Sequence, residues 1–485
     1  MGKLKFKAKV LYSVAGIGDS ALYNIMGSFA LFFLTTIAGV HPAAAGTITA
    51  VGSVWNTLCG VVNGYVSDNI ETRAGKRKPF LLIAAIPLMM FTSLFFLNID
   101  TGETFKVLYY TVMIILFWTA FSMFFVPYLA WGAELTDDYD ERTVLRGYVS
   151  FFYCIGSLIG LVLPNILVSW VTAAGYTAAA GWQITGIFCG VVSGGAVLVA
   201  AIGTKDRYAR GRGAAGDVTD AADENMQPQK KRRNALKEIA EMFRNYVQLM
   251  KMRTVRDIMG ASVFFLIGYA IFCSDRMYFF TYNMDMSGVE ITVIMMIFTF
   301  IAVAFIPLIS GVTRWIDKRT TYIASMMIST VGMVAFGFLG IRSFAGVVVL
   351  SLIYSVGNSA YWQLLPAMIY DVCEADELMN GKERAGMVIS LQALAEALSE
   401  GIGLQLMGMI LSLAGFSGAA EIQTATAMHW TGLSLTVIPA VFMALSVICV
   451  IRYPITKKVY GDVLDALARR KSGEKPDLEP FRKLK

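Results

Sequence analysis

Five ionisable side chains stand inside long apolar runs of this 485-residue chain: Asp19, Asp275, Arg276, Glu396 and Glu400. A charge in the middle of a bilayer is costly, so an acid or base held there is a candidate for function. Asp19 has Tyr23 one turn on and Met26 below it, all on one helical face. A carboxylate beside an aromatic ring suits a sugar: the acid accepts hydroxyl hydrogen bonds and the ring stacks on the apolar sugar face. The plainer reading is an aspartate bonded to another helix for packing. Glu396 and Glu400 are one turn apart, and Gln392 extends their stripe. Two adjacent carboxylates in a low dielectric do not both ionise easily, so one can hold a proton near neutral pH. They read as a coupling site for H⁺, or else as acids that face an aqueous vestibule or pair with Arg276.

Asp275 and Arg276 point roughly 100° apart on a helix. Either they pair with acids of other runs, or Arg276 grips a substrate carboxylate with both arms of its guanidinium. In the tenth run Asn358, Tyr361, Trp362 and Gln363 form a polar and aromatic cluster, and in the second Trp55, Asn56 and Asn63 offer neutral hydrogen bonds. Packing is the competing account of both groups.

These residues must be positioned by the runs that contain them. The runs cover about 10–37, 43–66, 80–98, 106–132, 147–172, 180–203, 256–283, 290–313, 320–341, 344–370, 385–415 and 426–453. A run of about 20 apolar residues spans a bilayer as a helix. The chain is 56% hydrophobic and only 16% charged, too little charge for the surface of a soluble protein of this size. Lys and Arg collect in every second gap, which marks those gaps as cytoplasmic. An even number of helices with both termini inside follows, in an all-α polytopic membrane protein. The first run is too long for a signal-peptide core.

The six cysteines are scattered through the runs, and the two histidines, His41 and His429, fall near outer loops, so no disulfide framework or zinc pattern is expected. No phosphate-binding Gly-x4-Gly-Lys-Ser/Thr loop, no selectivity-filter-like segment and no convergent nucleophile and base are present, which argues against a pump, a channel and an enzyme. The longest gap splits the chain into residues 1–203, a linker 204–255, residues 256–453 and a tail 454–485. In the linker, Lys230-Lys-Arg-Arg233 precedes apolar residues at helical spacing from Leu236 to Met250. It reads as a juxtamembrane amphipathic helix rather than a nucleic-acid patch.

The two halves repeat one charge pattern. Asp68 and Arg73 follow the second run, as Asp317, Lys318 and Arg319 follow the eighth. Pro127 with Glu134, Asp138, Glu141 and Arg142 closes the fourth, as Pro366 with Asp371, Asp376, Lys382 and Arg384 closes the tenth. Asp68, Arg73, Glu134, Arg142, Asp371 and Arg384 therefore read as a cytoplasmic gate whose pairs form and break as the inner face closes and opens. The alternative is solvated loops that set topology, where exposed pairs are worth little. Two similar six-helix bundles are what alternating access requires.

At Gly18-Asp19, Arg73-x-Gly-Lys-Arg-Lys-Pro-Phe80, Glu134-Leu-Thr-x-Asp138-Tyr-x-Glu-Arg-Thr143 and Asp371-x4-Asp376-Glu-x3-Gly-Lys-x-Arg384, the chain resembles the major facilitator superfamily. Within it the likeness is to the glycoside–pentoside–hexuronide:cation symporters, over about residues 10–455. The resemblance implies a twelve-helix fold of two six-helix bundles with pseudo-two-fold symmetry. It implies uptake of a glycoside, pentoside or hexuronide with a monovalent cation across a cytoplasmic (inner) cell membrane, and it matches Asp19 and Trp362 to sugar-site positions. The family's paired cation-binding acids of the second helix align with Asn56 and Gly60. Its sugar-site aspartate of the fourth helix aligns with Phe125, its arginine of the fifth with Val149 or Ser150, and its lysine of the eleventh near Ala397. Substrate contacts are therefore expected at Asp19, Tyr23, Arg276, Asn358, Trp362 and Gln363, and coupling at Asn56, Asp275, Glu396 and Glu400. The coupling ion is H⁺ or Na⁺, with H⁺ favoured, and no cofactor, metal or nucleic acid is expected. The partners are a small-molecule substrate (a glycoside or hexuronide), a monovalent cation and the lipid bilayer, around a monomer. An uncoupled facilitator or an exporter of a non-sugar amphiphile is the alternative.

Overall fold

The computed structural model describes residues 4–70, 72, 75–135, 139–204, 244, 246–381, 384–418, 420, 422–471 and 479–484. Twelve helices are long and apolar enough to cross a membrane. They are α1 (Phe6–Ile37), α2 (Pro42–Gly64), α3 (Lys78–Phe95), α4 (Glu103–Gly132), α5 (Val144–Ala173), α6 (Ala178–Gly203), α7 (Arg253–Asn283), α8 (Gly288–Thr313), α9 (Lys318–Leu339), α10 (Phe344–Asn380), α11 (Gly386–Leu413) and α12 (Ala425–Arg452). A thirteenth, α13 (Lys457–Lys471), follows. Most of the expected linker, with its basic cluster and most of its amphipathic segment, lies outside the described residues.

Four helix starts have a clear local cause. Pro stands in the first turn of α2 and α3, where its missing N–H costs nothing. Thr177 caps α6 and Ser343 caps α10, each accepting a backbone N–H. The helix that carries α5 begins at Tyr139, so Arg142 and Arg146 stand on its first turns rather than in a loop. An acid in that turn, Glu141, suits the positive end of the helix dipole. α10 runs through Pro366 to Asn380 and so holds Asp371 and Asp376 within the helix, ten residues beyond the end at 370 expected from the apolar pattern.

The helices form two compact units. One gathers α1–α6 with residues 273–296 and 401–431; the other gathers residues 221–272, 297–400 and 432–485. In the first unit α1 lies against α5 and α6, α2 against α4, and α3 against α6. In the second, α9 packs on α10 and α12, so the pairing of α3 with α6 recurs six helices later. Glycines permit the closest approaches. A methyl at Gly18 would meet Ser193 O of α6 at 2.7 Å, and one at Gly160 would meet Ala21 O at 2.5 Å. α1 is thereby held between two backbones at the level of Asp19, the small-residue packing that membrane helices use.

The first unit also contains a seam between the ends of helices from both sequence halves. α1 and α7 both end in π turns, Phe33–Ile37 and Phe279–Asn283. Thr35 and the buried Tyr278 share a hydrogen bond of 2.6 Å between these turns. Tyr278 stands edge-on to Phe32 and Phe416, each with ring centroids 5.2 Å away. Beside it α2 and α11 touch backbone to backbone, where a methyl at Gly408 would meet Pro42 O at 2.6 Å and Gly46 Cα at 2.7 Å.

Candidate functional site

In the first unit Asp19 is 7% exposed and has no hydrogen bond or ion pair among the described residues. Its neighbours on the helix are spoken for. Ser20 and Ser157 share a 2.6 Å hydrogen bond, and Asn24 donates to the Ser20 carbonyl at 2.8 Å. Tyr12 donates to the Tyr128 carbonyl at 2.8 Å and stacks on its ring at 4.7 Å. Tyr23 is 37% exposed and stands edge-on to Trp118 at 6.2 Å, while Met26 is buried. The predicted acid and ring therefore stay on one helix, with the acid inside and the ring at a surface.

Asp275 is fully buried and Arg276 is 8% exposed; the arginine Nε reaches the Cys273 carbonyl of its own helix at 3.5 Å. Asn56 is half-buried, with no hydrogen-bond partner among the described residues. Trp55 and Asn63, by contrast, spend their donors on α4, at Thr119 Oγ1 (2.9 Å) and Ser122 Oγ (2.5 Å).

The second unit holds the larger constellation. Trp362 of α10 is 47% exposed, with Tyr361 edge-on at 5.3 Å and Tyr269 of α7 edge-on at 5.8 Å. Tyr361 is buried and lies flat on Phe265, 3.9 Å between centroids. Its hydroxyl shares a 2.7 Å hydrogen bond with Ser262 Oγ. Gln392 Nε2 donates to Ser262 Oγ at 2.6 Å and to Glu396 Oε1 at 3.1 Å. Glu396 has no cationic partner among the described residues. Glu400 is half-buried one turn further along. Asn358 Oδ1 is buried without a partner among the described residues, and Gln363 donates to Ser310 of α8. Sequence reading placed Trp362, Gln392 and Glu396 on the right helices. It missed Ser262 and Tyr269, whose membership depends on α7 passing between α10 and α11.

At the charged helix ends, pairs close within each unit. Arg77 grips Glu134 Oε1 through Nε (3.0 Å) and Nη2 (2.9 Å), and reaches Ser67 Oγ at 2.8 Å. In the other unit Lys318 meets both oxygens of Asp371 at 2.9 Å. Arg384 pairs with the fully buried Asp376, Nε to Oδ2 at 2.9 Å, and Asn380 adds a further donor at 2.8 Å. Glu141 accepts Lys9 Nζ at 3.0 Å and the Leu4 N–H at 2.8 Å. Arg73 and the side chains of Asp68 and Arg142 lie outside the described residues. The basic partner of Glu134 is thus Arg77, from the same loop as Arg73 but four residues on.

A family model described as MFS/sugar transport protein matches residues 11–457. The chain is 24% identical to the glucuronide carrier protein homolog of Escherichia coli (strain K12) over 480 residues, 97% of each chain. It is 24% identical to the isoprimeverose transporter of Lactiplantibacillus pentosus over 454 residues, 92% of this chain and 88% of that one. Among solved structures, a D-xylose–proton symporter superposes with a TM-score of 0.62 at 13% identity, covering 90% of this chain and 97% of its own.

Proposed function

The chain belongs to the MFS/sugar transport protein family, and from that premise we propose that it imports a glycoside, pentoside or hexuronide together with a proton by alternating access. It is a multi-pass membrane transporter, not an enzyme. The observation that carries the finer reading is two carboxylates set in apolar helices, the buried Asp19 and the half-buried Glu396. Neither has a cationic partner among the described residues. A lone carboxylate at such depth is the group that a substrate hydroxyl, a proton or a bound cation satisfies. Asp19 takes the first role beside Tyr23. Glu396 takes the proton, because Asn56 and Gly60 leave α2 without a charge to hold Na⁺ and Glu396 sits one amide away from the ring cluster at Trp362. With both termini in the cytoplasm of a monomeric protein in the inner membrane, the Thr35–Tyr278 seam faces outward.

The relatives support the substrate class: one is named for a glucuronide and another for isoprimeverose. Arg276, a buried guanidinium in the first unit, has the chemistry to bind a carboxylate-bearing sugar with both arms. Reconstituted vesicles test the reading with p-nitrophenyl β-glucuronide and a pentose glycoside. An inward proton gradient drives accumulation of at least one, Na⁺ does not substitute, and Glu396→Gln abolishes accumulation while labelled-substrate counterflow persists. Accumulation by Glu396→Gln equal to that of the parent protein rules out Glu396 as the proton site.

A further inference from the structure

The hydrogen-bond chain from Glu396 to Tyr361 passes through one amide whose two ends are chemically different. Gln392 is 7% exposed, its Nε2 serves both Ser262 and Glu396, and its Oε1 is buried with no partner among the described residues. A buried amide oxygen is normally satisfied, and the two ends of a glutamine amide are interchanged by a half turn. The arrangement suits an ionised Glu396, which can only accept. Ser262 then receives a hydrogen from Gln392 and gives its own to Tyr361 Oη.

A protonated Glu396 must donate. The acceptor within reach is the amide oxygen, provided the amide turns over. Oε1 then takes hydrogens from Glu396 and from Ser262, and Ser262 accepts from the Tyr361 hydroxyl. The only proton gained is the one on Glu396; every other hydrogen stays on its own atom, and the direction of each bond reverses. We propose that Gln392 is a positioning residue that relays coupling: its amide turns when Glu396 gains or loses a proton and so reverses the Ser262–Tyr361 hydrogen bond beside Trp362. The proposal rests on the reading of Glu396 as the proton site. Among the described residues the titratable groups beside Glu396 are Tyr361 on α10, linked to it through Ser262 and Gln392, and Glu400 on its own helix; α7 contributes the serine. The relay places the ring edge-on to Trp362 under the control of a proton held on a different helix.

Infrared difference spectroscopy on the purified full-length protein in nanodiscs tests this without a substrate, as the pH is stepped over roughly 5 to 9. A carboxylic C=O band that disappears in Glu396→Gln is expected, with a carboxamide C=O band that shifts at the same midpoint and is absent in Gln392→Met. Ser262→Ala, a milder change, is expected to keep both bands and lose the accompanying tyrosine band. A Glu396 band that titrates with no carboxamide component overturns the relay and leaves the proton site standing. A spectrum with no Glu396-dependent band overturns the proton site, and the relay with it. Because the parent spectrum alone shows whether carboxyl and carboxamide bands move together, a poorly folding Gln392→Met does not protect the idea.

Discussion

Asp19 is held inside the first unit with nothing to bond to among the described residues, and that isolation gives it a distinctive mutational signature. A buried unpaired charge costs stability, so Asp19→Asn is expected to hold or raise the melting temperature by a few degrees while abolishing substrate binding. Thermal unfolding followed by a substrate-protection shift separates the two effects, and a large loss of stability would instead mark Asp19 as a packing residue. Trp362 makes the opposite case. Half-exposed and framed by two tyrosines, it is expected to lose about tenfold in substrate affinity as Trp362→Ala and to recover part of that as Trp362→Phe, read by counterflow. Both residues were visible in the sequence, the aspartate because it interrupts an apolar run and the tryptophan because it sits among polar residues. The partners of Gln392 were not. Ser262 lies 130 residues away, and a serine in an apolar helix carries no sign of what it faces.

For the helices, apolar length and alternating basic gaps gave all twelve spans, because a membrane helix must satisfy its own backbone and bury little charge. The pattern failed where charge is neutralised by a neighbour. Asp371 and Asp376 look like loop residues, yet Lys318 and Arg384 compensate them and α10 continues for ten residues. The tail helix α13 did leave a signal, since its buried Val463, Ala466 and Leu467 have helical spacing. Close helix contacts, by contrast, cannot be read from glycine content alone. Gly408 touches the backbone of α2, whereas Gly147 has open space around the position of a side chain. Gly408→Leu is therefore expected to cost about 1–3 kcal/mol at the α2–α11 contact and to remove most transport. Gly147→Leu is expected to leave uptake unchanged in the same vesicle assay.

Across the whole molecule, one device appears in each sequence half: a base at the junction between the second and third helices of the half grips an acid in the last part of the fourth. The charge pattern drew attention to Glu134 and Asp371 but named Arg73 and Arg384 beside them; among the described residues the bases that reach these two acids are Arg77, which also bonds Ser67, and Lys318. The two pairs should differ in weight. Arg77 and Glu134 have side chains only 8% and 23% exposed, so Glu134→Ala is expected to cost about 2–3 kcal/mol and to be partly restored by exchanging the two charges. Lys318 is 39% exposed, and Lys318→Ala should cost less than about 1 kcal/mol. Denaturation midpoints of the single and exchanged variants in detergent check this ordering. The π turns that end α1 and α7 add something the charge pairs do not. Each carries one residue more in its turn than an α-helix does. A shift of that extra residue by one position would rotate a side chain by about 100° about the axis while the helix stays wound. Thr35 and Tyr278 can therefore part as two cogs disengage, by a small turn of each shaft, and the seam can open without either helix having to unfold.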